Sequence, residues 1–289
     1  MLDKEGFLLN TPDGTADLRS GKLLAHDPKD YCTKICSVSP NDKGMDEWLR
    51  FLHDFTCGDK ALEDYLQLES GVECIGEVLD ENLVIQYGEG GNGKSTLNNG
   101  KFYVLGDYAG TISAELPEGK RLDSGSLKNL SSTDPIHAEK KFEAPFKFIP
   151  THTTVLYTNY LPKVGTIDKG TWDRLIVIPL KANFRGAKGE IKNYAKVLSD
   201  RCGGAILSWM IAGAKRYISS GFKLVPPKCV QDAMNAYREE NDWMSYFLAD
   251  RCEEDPAGVQ KAGRFTRNTA NTAMRSVNTK EAPLTSSER

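Results

Sequence analysis

The octapeptide Gly88-Glu89-Gly90-Gly91-Asn92-Gly93-Lys94-Ser95 constrains this chain more than any other stretch. It satisfies G-x-x-x-x-G-K-[ST] at every fixed position. Glycines let the backbone curl until successive N–H groups converge on one anion, and the positive end of a following helix adds its field. Such a loop needs a strand before it and a helix after it. Leu83-Val84-Ile85-Gln86-Tyr87 is a short apolar run that predicts a buried parallel strand. Lys94 to Leu105 predicts the helix, weakened by Gly100 at about 1 kcal/mol against Ala. The chemistry then gives each position a task. Gly88, Glu89, Gly90, Gly91, Asn92 and Gly93 present backbone amides to the phosphates of ATP. Lys94 reaches the β- and γ-phosphates as a point charge. Ser95 turns its hydroxyl toward Mg2+, with Thr96 a weaker second candidate. The competing reading is a chance match in a glycine-rich turn.

Around this centre the hydrophobic period changes several times. Residues 7–38 alternate short apolar segments with turns at Thr11-Pro12-Asp13-Gly14 and Ser20-Gly21, which predicts small β-hairpins. Trp48, Leu49, Phe51, Leu52, Phe55, Leu62, Tyr65 and Leu66 recur at helical spacing and predict two amphipathic helices broken near Cys57-Gly58-Asp59. Thr153 to Thr158 and Leu175 to Ile178 are further strand candidates. From Ile191 the pattern is helical to Cys252, interrupted by Gly221 and blocked by Pro226-Pro227. Residues 258–289 are rich in Thr, Ser and Asn, with six basic residues against two acidic ones. A solvated disordered tail and a DNA-contacting tail are both open for that segment.

Net charge is −3, which excludes a uniformly basic DNA-coating protein but leaves room for local positive loops. No apolar run approaches the ~18 residues of a membrane helix, and Met1 to Gly6 lacks the pattern of a secretory signal. Seven scattered cysteines lack the paired spacing of a zinc site and are expected to be free thiols. These features predict a cytoplasmic protein. His137 and His152 lack partners at useful spacing and are read as structural.

Several stretches downstream of the loop resemble the phage/plasmid primase–helicase family, a branch of the superfamily 3 helicases in the AAA+ class. They are Gly106-Asp107-Tyr108-Ala109, Lys128 to Ile136, Glu139-Lys140-Lys141-Phe142, Phe146 to Pro150, Thr158-Asn159-Tyr160-Leu161-Pro162 and Asp168 to Leu175. Asp17 to Gly21, His26-Asp27-Pro28, Gly221-Phe222 and Tyr237 to Asp242 extend the likeness over about residues 7–256. The resemblance implies an α/β P-loop AAA+ ATPase core with a parallel central sheet, an N-terminal helical and hairpin region and a C-terminal helical lid. The corresponding divisions are 1–75, 76–185, 186–256 and a basic tail at 257–289. It also implies a helicase of phage or mobile-element replication in a bacterial host cell. Homo-oligomers, as a hexameric ring, would translocate on single-stranded DNA with a primase acting in trans.

Carried over by residue, Asn159 would hydrogen-bond the γ-phosphate or the attacking water; a cap on the turn before Pro162 is the plainer account. Arg174 would enter the neighbouring subunit's ATP site; an ordinary surface ion pair competes with it. Lys140, Lys141 and Phe142 would line the channel on a hairpin and track a phosphate backbone; a solvated charged turn is the rival.

The chain departs from the family at two places. The stretch between Asp107 and Lys128 is short, and Thr111-Ile112-Ser113-Ala114-Glu115 is its only candidate for the strand whose acid helps hold Mg2+. A strand buried on both faces should be richer in Val, Ile and Leu, which suggests that a block of sequence is missing and places hydrolysis in question. Glu115 is the candidate acid. Asp173-Arg174 stands where the family carries two arginines. Two other readings stay open: a P-loop kinase of a small molecule, and an ATP- and DNA-binding remnant without turnover.

Overall fold

The computed structural model describes residues 2–108, 112–114, 117–139, 141, 143–164, 168–186, 191 and 193–242. Turn chemistry organises the amino end. β1 (Leu8–Thr11) reverses into β2 (Gly14–Asp17), and Gly21 at φ 72° lets β3 (Lys22–Leu24) return beside it. The result is a three-stranded antiparallel sheet. α1 (Met45–Phe55) buries Trp48, Phe51, Leu52 and Phe55 along one stripe. Gly58, at φ 78°, then breaks the helix, and Asp59 restarts it: its Oδ1 accepts a hydrogen bond from Leu62 N at 3.1 Å, capping α2 (Lys60–Val72). A cap of this kind contributes about 1 kcal/mol.

β4 (Leu83–Tyr87) feeds the glycine loop, which opens into α3 (Lys94–Leu105). There follow β5 (Ile112–Ala114), β6 (Arg121–Leu122), α4 (Ser124–Leu130), β7 (Ile136–Ala138) and β8 (Phe146–Phe148). Then come β9 (Thr154–Thr158), β10 (Lys163–Val164), α5 (Lys169–Trp172) and β11 (Leu175–Pro179). The central sheet has the order β11-β4-β9-β5, and every neighbouring pair is parallel. β4 lies inside it and is buried along Leu83, Val84, Ile85 and Gln86, which explains its unbroken apolar run. β5 is the edge strand. An edge strand does not need the apolar richness expected of a central one, so the short stretch after α3 still supplies a strand to the sheet. β7 and β8 form a separate antiparallel hairpin stem, and β6 pairs with β10.

α6 (Tyr194–Ser219) is the main core helix, burying Leu198, Cys202, Ile206, Met210, Ala214 and Tyr217. It packs against α2 at a close crossing. A Cβ on Gly71 would stand 2.1 Å from Ala214 N, and one on Gly213 would stand 2.0 Å from Gln67 O. Only hydrogen side chains allow that approach. Gly221, at φ 75°, ends the segment, and α7 (Lys228–Asn241) begins just after Pro226-Pro227. The chain divides into compact units at Met1–Asn235 and Ala236–Arg289; of the second, only the end of α7 and Asp242 are described. The expected extension of the last helix to Cys252 and the basic tail lie outside the described residues. Among the described residues, no helix is long and apolar enough to cross a membrane.

Candidate functional site

Parallel register decides which residues meet. Tyr87 pairs with Thr158 at the carboxyl ends of β4 and β9, so Gly88 and Asn159 leave the sheet side by side. Gly88 N donates to Thr158 O at 3.3 Å. In open parallel sheets ligands bind at this end of the strands. Here the glycine loop turns through positive φ at Gly90 (92°), Gly91 (67°) and Gly93 (83°) before α3 begins at Lys94. Gly88 is required by space: a Cβ there would lie 2.5 Å from Leu180 O.

Lys94 is buried, and its ammonium sits among oxygens. Nζ donates to Gly88 O at 2.6 Å, Asn92 Oδ1 at 3.0 Å and Asn159 Oδ1 at 2.9 Å. Lys94 and Asn159, 65 positions apart, thus form one polar centre. Asn92 has a role that its place in the loop motif did not reveal. Its Oδ1 accepts from Gly90 N at 2.8 Å, and its Nδ2 donates to Leu180 O at 3.2 Å and Ala182 O at 2.7 Å. The side chain therefore staples the loop to the segment leaving β11. Phe184 N, donating to Gly91 O at 2.8 Å, adds a backbone link to the same segment. The motif pattern treats this asparagine as variable; only its position beside a distant strand end makes it structural.

A cavity of about 1180 Å³ opens over the loop. Gly90, Gly91, Asn92, Gly93, Lys94, Ser95, Thr96 and Asn159 line one side. Glu89 is exposed at the loop's outer edge. Phe51, Phe184 and Tyr194 line the cavity too, with ring centroids of Phe51 and Phe184 6.1 Å apart and those of Phe51 and Tyr194 5.9 Å apart; the Phe184 ring lies against the loop, 2.9 Å from where a Cβ on Gly93 would stand. Asp46, Glu47 and Asp54 of α1 also line the cavity, together with Arg50 of the same helix. Sequence reading had placed Phe51 in the core stripe of α1 and gave no signal that this helix walls the cavity. This volume is just above the about 300–1,000 Å³ of ordinary ligand pockets, room enough for a nucleoside triphosphate.

The exposed Ser95 hydroxyl and the half-buried Thr96 hydroxyl both line the cavity, as a divalent ion arriving with phosphates would require. Among the described residues, no group of three His, Cys, Asp or Glu could hold a metal alone. Magnesium characteristically takes part of its shell from substrate phosphates and water, so such a group is not a precondition. Glu115 lies outside the described residues, although the strand that precedes it is in the sheet.

Arg174 lies at the other end of the sheet. It directly precedes β11, and its carbonyl accepts from Leu83 N at 2.7 Å, at the start of β4. Five-residue strands separate it from the glycine loop by roughly 16 Å at about 3.3 Å per residue. Its guanidinium pairs with Glu81 and donates to Gly170 O at 2.9 Å. Lys141 is exposed in the turn between β7 and β8; Lys140 and Phe142 are outside the described residues. His137 is exposed and His152 half-buried, where burial, aided by Lys34, lowers its pKa below the usual imidazole range.

Residues 1–57 match the family described as D5 N terminal like. Over 218 residues the chain is 26% identical to "Putative helicase L207/L206" of Acanthamoeba polyphaga mimivirus, an alignment covering 63% of this chain and 22% of the viral protein. It is 26% identical over 230 residues to the similarly named 184R of Invertebrate iridescent virus 6, covering 66% and 24%. The fold is similar to the apo structure of the NrS-1 C-terminal region, with a TM-score of 0.55 at 14% identity over 74% of this chain and 57% of that one. The chain is thus similar in sequence to viral proteins named putative helicases and in fold to the NrS-1 C-terminal region. It spans about a quarter of the length of the viral relatives it matches.

Proposed function

We propose that the chain is the ATPase core of a ring-forming DNA helicase of viral or mobile-element replication, an AAA+ motor that moves on single-stranded DNA. The observation that carries this reading is the meeting of Lys94 and Asn159 over a glycine loop at the carboxyl ends of two parallel strands. An ammonium and a neutral amide side by side suit a γ-phosphate. The first supplies charge, and the second can donate to an oxygen or orient water without repelling it.

ATP lies with its phosphates against Gly88 to Thr96, in the cavity that Phe51 and Tyr194 also line. Ser95, with Thr96 as the weaker second hydroxyl and Glu115 as the candidate acid, would hold Mg2+, which when bound would neutralise charge on the phosphates. Lys94 leaves its resting oxygens for the phosphates, and Asn92 keeps the loop in register as it does so. Arg174 is too far from its own loop and serves the nucleotide of an adjoining subunit, as a hexameric ring would arrange. The β7–β8 hairpin with Lys140, Lys141 and Phe142 follows the DNA backbone in the channel, with a primase acting in trans. β5 lies parallel to β9, which supports a role for the stretch that ends in Glu115.

The test is phosphate release from ATP with and without single-stranded DNA. The reading predicts stimulation by DNA, loss in both Lys94→Ala and Arg174→Ala, and partial recovery when the two inactive variants are mixed. Hydrolysis indifferent to DNA but coupled to a small phosphate acceptor would instead mark a kinase.

A further inference from the structure

Arg174 and the hairpin stem are joined through one side chain. Arg174 Nη2 donates to Glu81 Oε2, while Nη1 donates to Gly170 O at 2.9 Å. Arg174 Nε is buried without a hydrogen-bond partner among the described residues. The other oxygen of Glu81, Oε1, accepts from both N and Oγ1 of Thr133, each at 3.4 Å. Thr133 lies three positions before β7, the first strand of the hairpin that carries Lys141.

A second tie runs alongside. Lys128 Nζ of α4 donates to Asp168 Oδ2 at 2.6 Å, and that oxygen also accepts from Thr171 N at 3.1 Å and Oγ1 at 2.9 Å. The Lys128 and Thr171 hydrogen bonds hold the Asp168 carboxyl down to about 2, so it stays ionised throughout the useful pH range. Segments 124–133 and 168–174 are thus linked at both ends, by Lys128–Asp168 and by Thr133–Glu81–Arg174.

We propose that Glu81 is a positioning residue for Arg174, fixing the guanidinium toward a neighbouring subunit and relaying movement of the hairpin to it through Thr133. The reasoning is geometric. An arginine on a partly exposed strand start has a long side chain with many rotamers. Two anchors, the Glu81 carboxylate and the Gly170 carbonyl, select one fork direction and leave the second N–H of each terminal nitrogen for an incoming anion. A single carboxylate shared by Arg174 and Thr133 cannot follow one without disturbing the other. DNA engaged by the hairpin would therefore be sensed at the arginine.

This inference rests on the reading of Arg174 given above, and the experiment separates the two. The full chain is assayed for ATP hydrolysis with and without a single-stranded oligonucleotide, and for equilibrium binding of a fluorescent ATP analogue. Glu81→Gln and Glu81→Ala are expected to lower the DNA-stimulated kcat by about tenfold or more, as misplacement of a reacting group does. Nucleotide affinity should stay within about twofold, because Glu81 does not line the cavity, and Glu81→Asp should recover part of the rate. Thr133→Val should reduce the stimulation by DNA while leaving hydrolysis without DNA within about twofold. Undiminished DNA-stimulated kcat in Glu81→Ala, with Lys94→Ala and Arg174→Ala both inactive, would overturn the role of Glu81 alone. Parallel losses of nucleotide affinity and thermal stability in the Glu81 variants would reduce it to a structural ion pair and overturn it as well. Full activity in Lys94→Ala would overturn the parent reading instead.

Discussion

Nζ of Lys94 lies 2.9 Å from Oδ1 of Asn159, so a loop lysine and the residue after a strand 65 positions later share one hydrogen bond. The pairing gives the buried ammonium an oxygen partner. It also specifies what Asn159→Asp should do. A carboxylate there would ion-pair with Lys94 and repel a γ-phosphate. Affinity for ATP should fall by about tenfold or more, and affinity for ADP should fall less, since only ATP brings the third phosphate to that place. Titration of both nucleotides decides it; equal losses would remove Asn159 from the γ-phosphate.

Asn92→Ala should cost about 1–3 kcal/mol of stability, because the Gly90 amide and the Leu180 and Ala182 carbonyls lose a partner together. Nucleotide affinity should drop with it. Urea unfolding combined with nucleotide titration measures both, and an unchanged midpoint would show that the staple carries no load.

Three ionisable side chains are buried between α2 and α3. Lys101 Nζ donates to Glu73 Oε1 at 2.6 Å and Glu69 Oε2 at 3.4 Å, with all three side chains almost fully buried. Burial pushes Glu73 up to about 8; Lys101 opposes the rise and Glu69 adds to it. The folded protein therefore keeps a proton that the unfolded chain releases above its ordinary carboxyl pKa of about 4.3. Stability should fall as pH rises from about 5 to about 8, by no more than about 1.4 kcal/mol per pH unit for one proton. Lys101 is also raised, so its contribution is present in full throughout this window and is lost only above the ordinary lysine range, leaving the slope here unchanged. Glu73→Gln should flatten the slope in unfolding curves taken across that range. Lys101→Met should destabilise by about 3–5 kcal/mol by leaving the acids unpaired.

At the crossing of α2 and α6, Gly213→Ala should destabilise by about 1–3 kcal/mol, because its Cβ would press on the Gln67 carbonyl. Gly221→Ala tests a different cost: nothing lies within 4 Å of its Cβ, and only the φ of 75° resists it. Denaturant midpoints for the two should separate crowding from backbone strain.

Much of this was legible in the residues and some was not. The glycine loop, its strand and its helix could be read because their chemistry is local: positive φ, an apolar run and a lysine at fixed spacing. The break at Cys57-Gly58-Asp59 and the stop at Gly221 were visible for the same reason. β5 was undervalued because the apolar rule for central strands was applied to a strand at the sheet's edge. Lys101 gave no signal, since a lysine inside a helix ordinarily points to water and its two glutamate partners stand 28 and 32 positions earlier. Glu81 was missed likewise, as was the side-chain role of Asn92: what each does is set by neighbours that only the fold supplies.

The most direct measurement is the rate of phosphate release from ATP by the wild-type chain and by Lys94→Ala, each with Mg2+, with and without single-stranded DNA. The account predicts release that DNA accelerates in the wild type and that falls to background in the variant under both conditions. Equal rates in the two proteins would contradict it.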